Sequence, residues 1–147
     1  MALAGDFVVV KMSDGGGTLR TFANNDIISV DVPLTYDQQD VTGFGNEVHT
    51  VLLGQISAPV TIRGYMTTTA LVGTHPVINS AYVKGNQVTF RAAVGNNANP
   101  SVGVDPEYAG TFIVESYTQN IEDGKAVMFT ATLKPATGTP PAWGTMV

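Results

Sequence analysis

The chain has 147 residues, 44% of them apolar and only 13% charged, with twelve acids against seven bases and no cysteine. That length suits one domain able to bury about 68–70% of its unfolded surface. The composition excludes a disulfide scaffold, thiolate chemistry and Cys-ligated zinc, and the net charge of −5 argues against a dedicated nucleic-acid binder.

Period-two alternation dominates the chain. Residues 6–12 (Asp-Phe-Val-Val-Val-Lys-Met) read as a first strand. Ser13-Asp14-Gly15-Gly16-Gly17 turns it back into a short return strand, Leu19–Phe22. Residues 27–32 (Ile-Ile-Ser-Val-Asp-Val) form the next strand. Residues 33–54 carry Pro33, Gly43, Gly45 and Gly54 with mixed polarity and read as a long inter-strand loop. In a compact domain a loop of that length has a task of its own. Ile56, Ala58, Val60 and Ile62 then alternate with Ser57, Pro59, Thr61 and Arg63. That run is a strand over 56–65, at an edge or bulged at Pro59, which lacks an amide donor.

Val77, Ile78, Ala81 and Tyr82 switch to helical spacing and predict one short helix over 76–83, with Thr74 as cap and Pro76 in its first turn. Strand alternation returns over 87–94. Residues 95–110, nearly all turn formers, read as irregular. Strands over 111–119 and 125–134 follow, joined by Glu122-Asp123-Gly124. The tail 135–147 is rich in Pro and Gly yet holds the only Trp, which suits an arm docking on its own body or on another subunit. The whole is mainly β: one antiparallel sandwich or barrel of residues 1–147, with a flanking helix, a long loop and an extended C-terminal arm.

Chemistry is sparse. His49 and His75 have no Gly-x-Ser-x-Gly elbow to serve and read as surface or interface residues. Asp37 with Asp40, and Asp105 with Glu107, lack the ligand spacing of a calcium loop and read as solvated turns. Gly15-Gly16-Gly17 has no Lys-Ser/Thr after it, and Gly43-Phe44-Gly45 has no third glycine, so neither is a phosphate loop. Phe44, Tyr65, Tyr108 and Tyr117 read as core or interface before sugar platform. No metal, cofactor or catalytic residue is expected. No apolar run is long enough to span a bilayer, and no Sec signal is recognised at the start. The balance favours a structural or interaction protein over an enzyme.

The order of parts then carries a resemblance. Asp40-Val41-Thr42-Gly43-Phe44-Gly45 precedes Gly54 and Pro59-Val60-Thr61-Ile62-Arg63-Gly64. His75-Pro76, Tyr108-Ala109-Gly110-Thr111-Phe112 and the closing Ala126–Leu133 strand follow, ahead of Gly138-Thr139-Pro140. Over roughly residues 26–140 this resembles the major tail tube proteins of long non-contractile-tailed bacteriophages. The resemblance implies six subunits per ring, with inner sheets joined into one β-barrel, and rings stacked through extended loops and arms. It implies a virion protein, assembled in the host cytoplasm, that conducts the genome to the host cell. Its partners would be itself and the tape-measure, tail-tip and tail-terminator proteins, with DNA passing unbound through the lumen and no membrane insertion. On this reading Val41, Phe44, Val48, Leu52, Leu53 and Trp143 make contacts between subunits or rings, with Val51 beside them. Asp26, Asp31, Glu115 and Asp123 face the lumen, where negative charge repels phosphate, while Lys and Arg lie mainly outside or at interfaces. A capsid decoration or head–tail joining protein, or a carbohydrate-binding β-sandwich, are the alternatives.

Overall fold

The computed structural model describes residues 8–23, 25–43, 45, 51–95, 100–136 and 139–147. Ten strands and one helix follow in chain order: β1 (Val8–Ser13), β2 (Leu19–Thr21), β3 (Ile27–Asp31), β4 (Thr35–Asp40), β5 (Val51–Ser57), β6 (Val60–Tyr65), α1 (Thr74–Lys84), β7 (Val88–Val94), β8 (Pro106–Asn120), β9 (Met128–Pro135) and β10 (Ala142–Thr145). Eight strands share one sheet, ordered β2-β1-β7-β8-β9-β6-β3, with β10 paired to β8 off that path. β4 and β5 form a separate two-stranded ladder. Every pairing is antiparallel.

The 15-residue β8 organises the rest. Its first half pairs with β7 from Ala93↔Glu107 to Val88↔Phe112, and its second half pairs with β9 from Phe112↔Pro135 to Asn120↔Met128. A sheet that changes partners along one long strand curls over itself and encloses a core between its two halves. That core holds Met12, Phe90, Tyr108 and Phe112 from one half and Val60, Ile62, Phe129, Ala131 and Leu133 from the other. Phe90 and Phe112 meet edge to face, with ring centroids 6.0 Å apart.

α1 adds Val77, Ile78 and Ala81 to this core and packs mainly on β8. It is one turn longer than the spacing of apolar residues predicts. Gly73, extended at φ −66° and ψ 155°, is the N-cap, and Gly85 at φ 65° ends the helix by donating its N–H to Ala81 O. The buried Thr74 does not cap. Its hydroxyl donates instead to Tyr65 O at 2.8 Å and accepts from Thr67 N–H at 2.9 Å.

Three readings of the sequence change. Residues 33–54 do not run as one loop: 35–40 and 51–57 pair as the β4–β5 hairpin. The single strand expected over 56–65 is two, interrupted at Ala58–Pro59 where the proline cannot donate. Residues 95–110 are not irregular throughout, because β8 already begins at Pro106. There Arg91 holds the buried Glu107 carboxylate at 2.7 Å, which lets an acid sit inside a sheet. The C-terminal arm docks on its own body. Trp143 lies opposite Tyr108 in the β10–β8 ladder, with rings 5.5 Å apart, and Met146 N–H donates to Asp105 O at 2.8 Å.

Candidate assembly surfaces

The half-sheet β8-β9-β6-β3 presents two unlike faces. Register places Val30, Ile62, Ala131 and Tyr117 in one cross-strand row, and Val60, Leu133 and Val114 in another, both turned to the core. The rows between them carry Asp31, Thr61, Thr132 and Ser116, then Ser29, Arg63, Thr130 and Thr118. This second face is a field of hydroxyls with few charges. Lys134 and Glu115 join its margin, Nζ to Oε2 at 3.6 Å and both half exposed. Two acids and two bases therefore share it: Arg63 and Lys134, of the basic set expected mainly outside or at interfaces, stand on the same face as Asp31 and Glu115.

The four acids singled out from sequence fall in different places. Asp31 and Glu115 belong to the polar face. Asp26 is half-buried at the turn before β3 and accepts a hydrogen bond from Thr67 Oγ1 at 3.1 Å. Asp123 is exposed in the β8–β9 connection, beside the Lys125–Glu122 pair. The Asp26–Thr67 contact belongs to a polar latch. Thr67 and Thr74 exchange backbone-to-hydroxyl bonds of 2.9 Å, tying the 66–73 strap to the start of α1. Next to it His75 Nδ1 lies 3.0 Å from Tyr117 Oη. Burial raises the Tyr117 phenol above its ordinary pKa, partly offset by a hydrogen bond with Gln119. Among the described residues no cluster of His, Asp and Glu could hold a metal ion.

Both edges of this half-sheet are open among the described residues. β3 pairs only with β6, and residues 113–120 of β8 pair only with β9. Beside β3 opens a cleft of about 660 Å³, lined by Val8, Ile27, Ile28, Val30, Val94 and Trp143 among others. Ile28 is the bulged residue between Ile27 and Ser29. An unpaired edge beside a cleft that mixes apolar side chains with Asn25 and Ser29 is a hazard for a free monomer and a template for pairing with another chain.

The β4–β5 hairpin extends the same layer past the body. Alternation carries the core-facing set Val30 and Val32 on through Leu34 to Tyr36, and Val60 back through Ala58 to Ile56, which pairs with Tyr36. A bulge with the extra residue on β5 then brings Leu53 and Val51 to this same side, opposite Gln38 and Asp40. Thr35, Asp37, Gln39, Leu52 and Ser57 occupy the other side. The apolar side has no second layer: Tyr36 is 51% exposed and Leu53 54%. Of the expected contact residues, Val41, Leu52 and Leu53 are exposed on or beside this hairpin, with Val51. Phe44 and Val48 lie outside the described residues. Trp143 is half exposed at the cleft, on its own subunit's Tyr108.

One further surface residue had no sequence signal. Leu71, in the strap between β6 and α1, is the non-glycine residue at positive φ among the described residues, at 71°. A bulky side chain in that region costs about 1–2 kcal/mol, yet this one is 62% exposed, next to the exposed Val72. Gly73 locks the strap: a Cβ there would lie 2.7 Å from Thr69 N and 2.8 Å from Thr67 O.

No known family model matches the sequence, and no curated protein matches it. Solved structures do match the fold. The tail of an empty gene transfer agent particle, refined with C6 symmetry, aligns at TM-score 0.74 and 15% identity, over 99% of this chain and 100% of that one. The SPP1 tail tube aligns at 0.75 and 13% identity, over 99% of this chain and 81% of that one. The sheath–tube complex of an extracellular contractile injection system, in its extended state, gives 0.69 and 16%, over 99% and 93%. At these identities the likeness is one of fold: the chain has the fold shared by these tail and tube proteins.

Proposed function

We propose that this chain is the structural subunit of a phage-type tail tube, joining in closed rings that stack around a channel for the genome. The observation that carries the reading is the half-sheet β8-β9-β6-β3, with a polar face, a core face and two open edges. Its strand number is even and its ladder is antiparallel throughout. Rotation about a central axis therefore sets β3 of one subunit antiparallel to residues 113–120 of its neighbour's β8, so the alternation continues across every seam. Heterologous contacts of this kind close into rings.

Six copies, the symmetry of the gene transfer agent tail, would put about two dozen strands in the wall. With about 4.8 Å between strands and a tilt of about 40°, the wall closes at a diameter of about 45–50 Å. The polar face then lines the channel. Its Thr and Ser hydroxyls keep it wet, and its balanced charges give phosphate no basic track to hold. Asp31 and Glu115 are the lumen acids of this arrangement, while Asp26 and Asp123 lie towards the end of the layer remote from the hairpin. Ile28 and the β3 cleft sit at the seam, and the hairpin reaches the next ring. A tape-measure protein inside the growing tube, and tail-tip and terminator proteins at its ends, are the partners that such a conduit requires. The role is structural rather than enzymatic.

The test is electron microscopy of purified protein held concentrated, with light-scattering mass alongside. Rings or tubes with a central channel are expected. The competing reading as a capsid decoration protein predicts trimers that coat capsids and no tubes with or without a tail-tip seed; that outcome would replace this one.

A further inference from the structure

We infer that the uncovered apolar side of the β4–β5 hairpin seats on the Leu71–Val72 strap of a second copy of this chain in the adjacent ring. The inference rests on the tube reading and names the receptor for its stacking contact. β6 starts at Val60, where the hairpin leaves, and ends at Tyr65, where the strap begins. Hairpin and strap therefore stand at opposite ends of the same layer, about 20 Å apart along six strand residues. In rings stacked head to tail, the hairpin end of one subunit meets the strap end of the next.

The two surfaces match in chemistry. The hairpin side carries Leu34, Tyr36, Val51, Leu53 and the partly buried Ile56, with Gln38 and Asp40 beside them towards its tip, turned the way the core residues turn but past the end of the body that covers them. The strap carries Leu71 and Val72, with no charged residue from Met66 to Gly73. Charge constrains the docking further. Residues 21–62 hold Asp26, Asp31, Asp37, Asp40 and Glu47 and no Lys or Arg, so this stretch carries the whole net charge of the protein. A receptor rich in acids would repel the hairpin; the strap has no charged residue of its own, and the one carboxylate bonded to it, Asp26, is engaged by Thr67 Oγ1 at 3.1 Å. The strap is also built to stay in place: Thr67 and Thr74 pin both its ends, and Gly73 N–H donates to Thr69 O at 2.9 Å. A preformed loop that displays Leu71 in an unfavourable backbone conformation loses little freedom on docking.

The absence of cysteine makes the test direct. Leu53→Cys and Leu71→Cys are prepared as separate full-length proteins, mixed under conditions where wild type forms tubes, and joined with a short bis-maleimide. Because tube contacts hold facing thiols at high effective concentration, covalent L53C–L71C heterodimer is expected at about tenfold or more over either variant alone. Tubes in the micrograph without enrichment of the heterodimer would overturn the hairpin–strap contact and leave the tube reading standing. Failure of wild type to form tubes, with or without a tail-tip seed, would remove the tube reading and this contact together. Leu71→Asp supplies a second readout: a circular dichroism spectrum and melting temperature like wild type, with stacked rings lost. Normal tubes from that variant would also refute the contact.

Discussion

Gly64 offers the sharpest check on how the edge strand β3 is seated. It is buried in β6, and register sets it between Ile27 of β3 and Phe129 of β9. A Cβ at Gly64 would fall well inside contact distance of Asp26 O and 3.0 Å from Ile27 Cα. Both are backbone atoms, so no side chain can rotate to relieve the overlap. Gly64→Ala therefore pushes the start of β3 off the sheet. Overpacking of this kind costs about 1–3 kcal/mol. The push also strains the 2.8 Å bond from Tyr65 N–H to Asp26 O, worth about 1 kcal/mol more. Together that is about 2–4 kcal/mol. At about 2–4 °C per kcal/mol for a chain of this size, the midpoint should fall by about 5–15 °C. Differential scanning calorimetry of wild type, G64A and the control Gly144→Ala measures it; an added Cβ at Gly144 meets nothing within 4 Å. A G64A midpoint within about 2 °C of wild type would refute the seating of β3 described above.

Three further predictions follow from the core and the turns. Thr74→Val removes the hydroxyl that serves Tyr65 O and Thr67 N–H while keeping the side chain's shape, leaving two inward groups unpaired; a loss of about 2–4 kcal/mol in urea unfolding is expected, with Thr74→Ser near wild type. Tyr108 Oη is buried with no partner among the described residues, so Tyr108→Phe should hold or raise the melting midpoint, and a fall of several degrees would show an unseen partner. Burial raises the Asp14 pKa, but bonds from Thr18 N–H, Arg20 and Gly16 N–H outweigh it and hold the carboxyl below its ordinary 3.8. A depressed pKa contributes stability that is present above the unfolded value and is lost as pH falls through the folded one. Asp14→Asn should therefore lower stability at pH 7 and flatten the decline below about pH 4, as followed by thermal melts across that range.

Alternation is what made most of the sheet legible. Val88, Phe90 and Ala92, or Phe129, Ala131 and Leu133, are core residues whose polar neighbours face away, and that pattern needs no tertiary information. The hairpin hid because its first strand, Thr-Tyr-Asp-Gln-Gln-Asp, has one apolar residue in six, and every residue in it is exposed. A strand that buries neither face leaves no period-two stripe to find. The start of β8 hid for another reason. Pro106, Glu107 and Gly110 read as turn formers, and the ladders to β7 and β10, with Arg91 holding the Glu107 carboxylate, make a strand of them. Leu71 had no readable signal, because a positive φ follows from how Thr67, Thr74 and Gly73 close the strap. The hairpin's apolar side was partly within reach. Extending Val30 and Val32 to Leu34 and Tyr36 is arithmetic, but it carries meaning only once the body is known to end short of it.

That mismatch between layer and body is what the proposed assembly would relieve. An isolated two-stranded ladder is marginal in water at best. Here β4 and β5 stay paired while Tyr36, Leu53 and Val51 remain about half exposed, and each ladder residue still pays the entropy of being ordered. At about 25 cal/mol per Å² of apolar surface removed from water, covering a few such side chains returns several kcal/mol per subunit. A ring multiplies that by its number of copies, because each hairpin docks in the same step. The same arithmetic opposes premature contact. A lone subunit that places one hairpin on one strap gains a single increment, less than the translational and rotational freedom it surrenders. It also brings the hairpin's Asp37 and Asp40 towards a like-charged neighbour. In the proposed tube, stacking would therefore be weak between monomers and strong between rings, with growth expected from a completed ring.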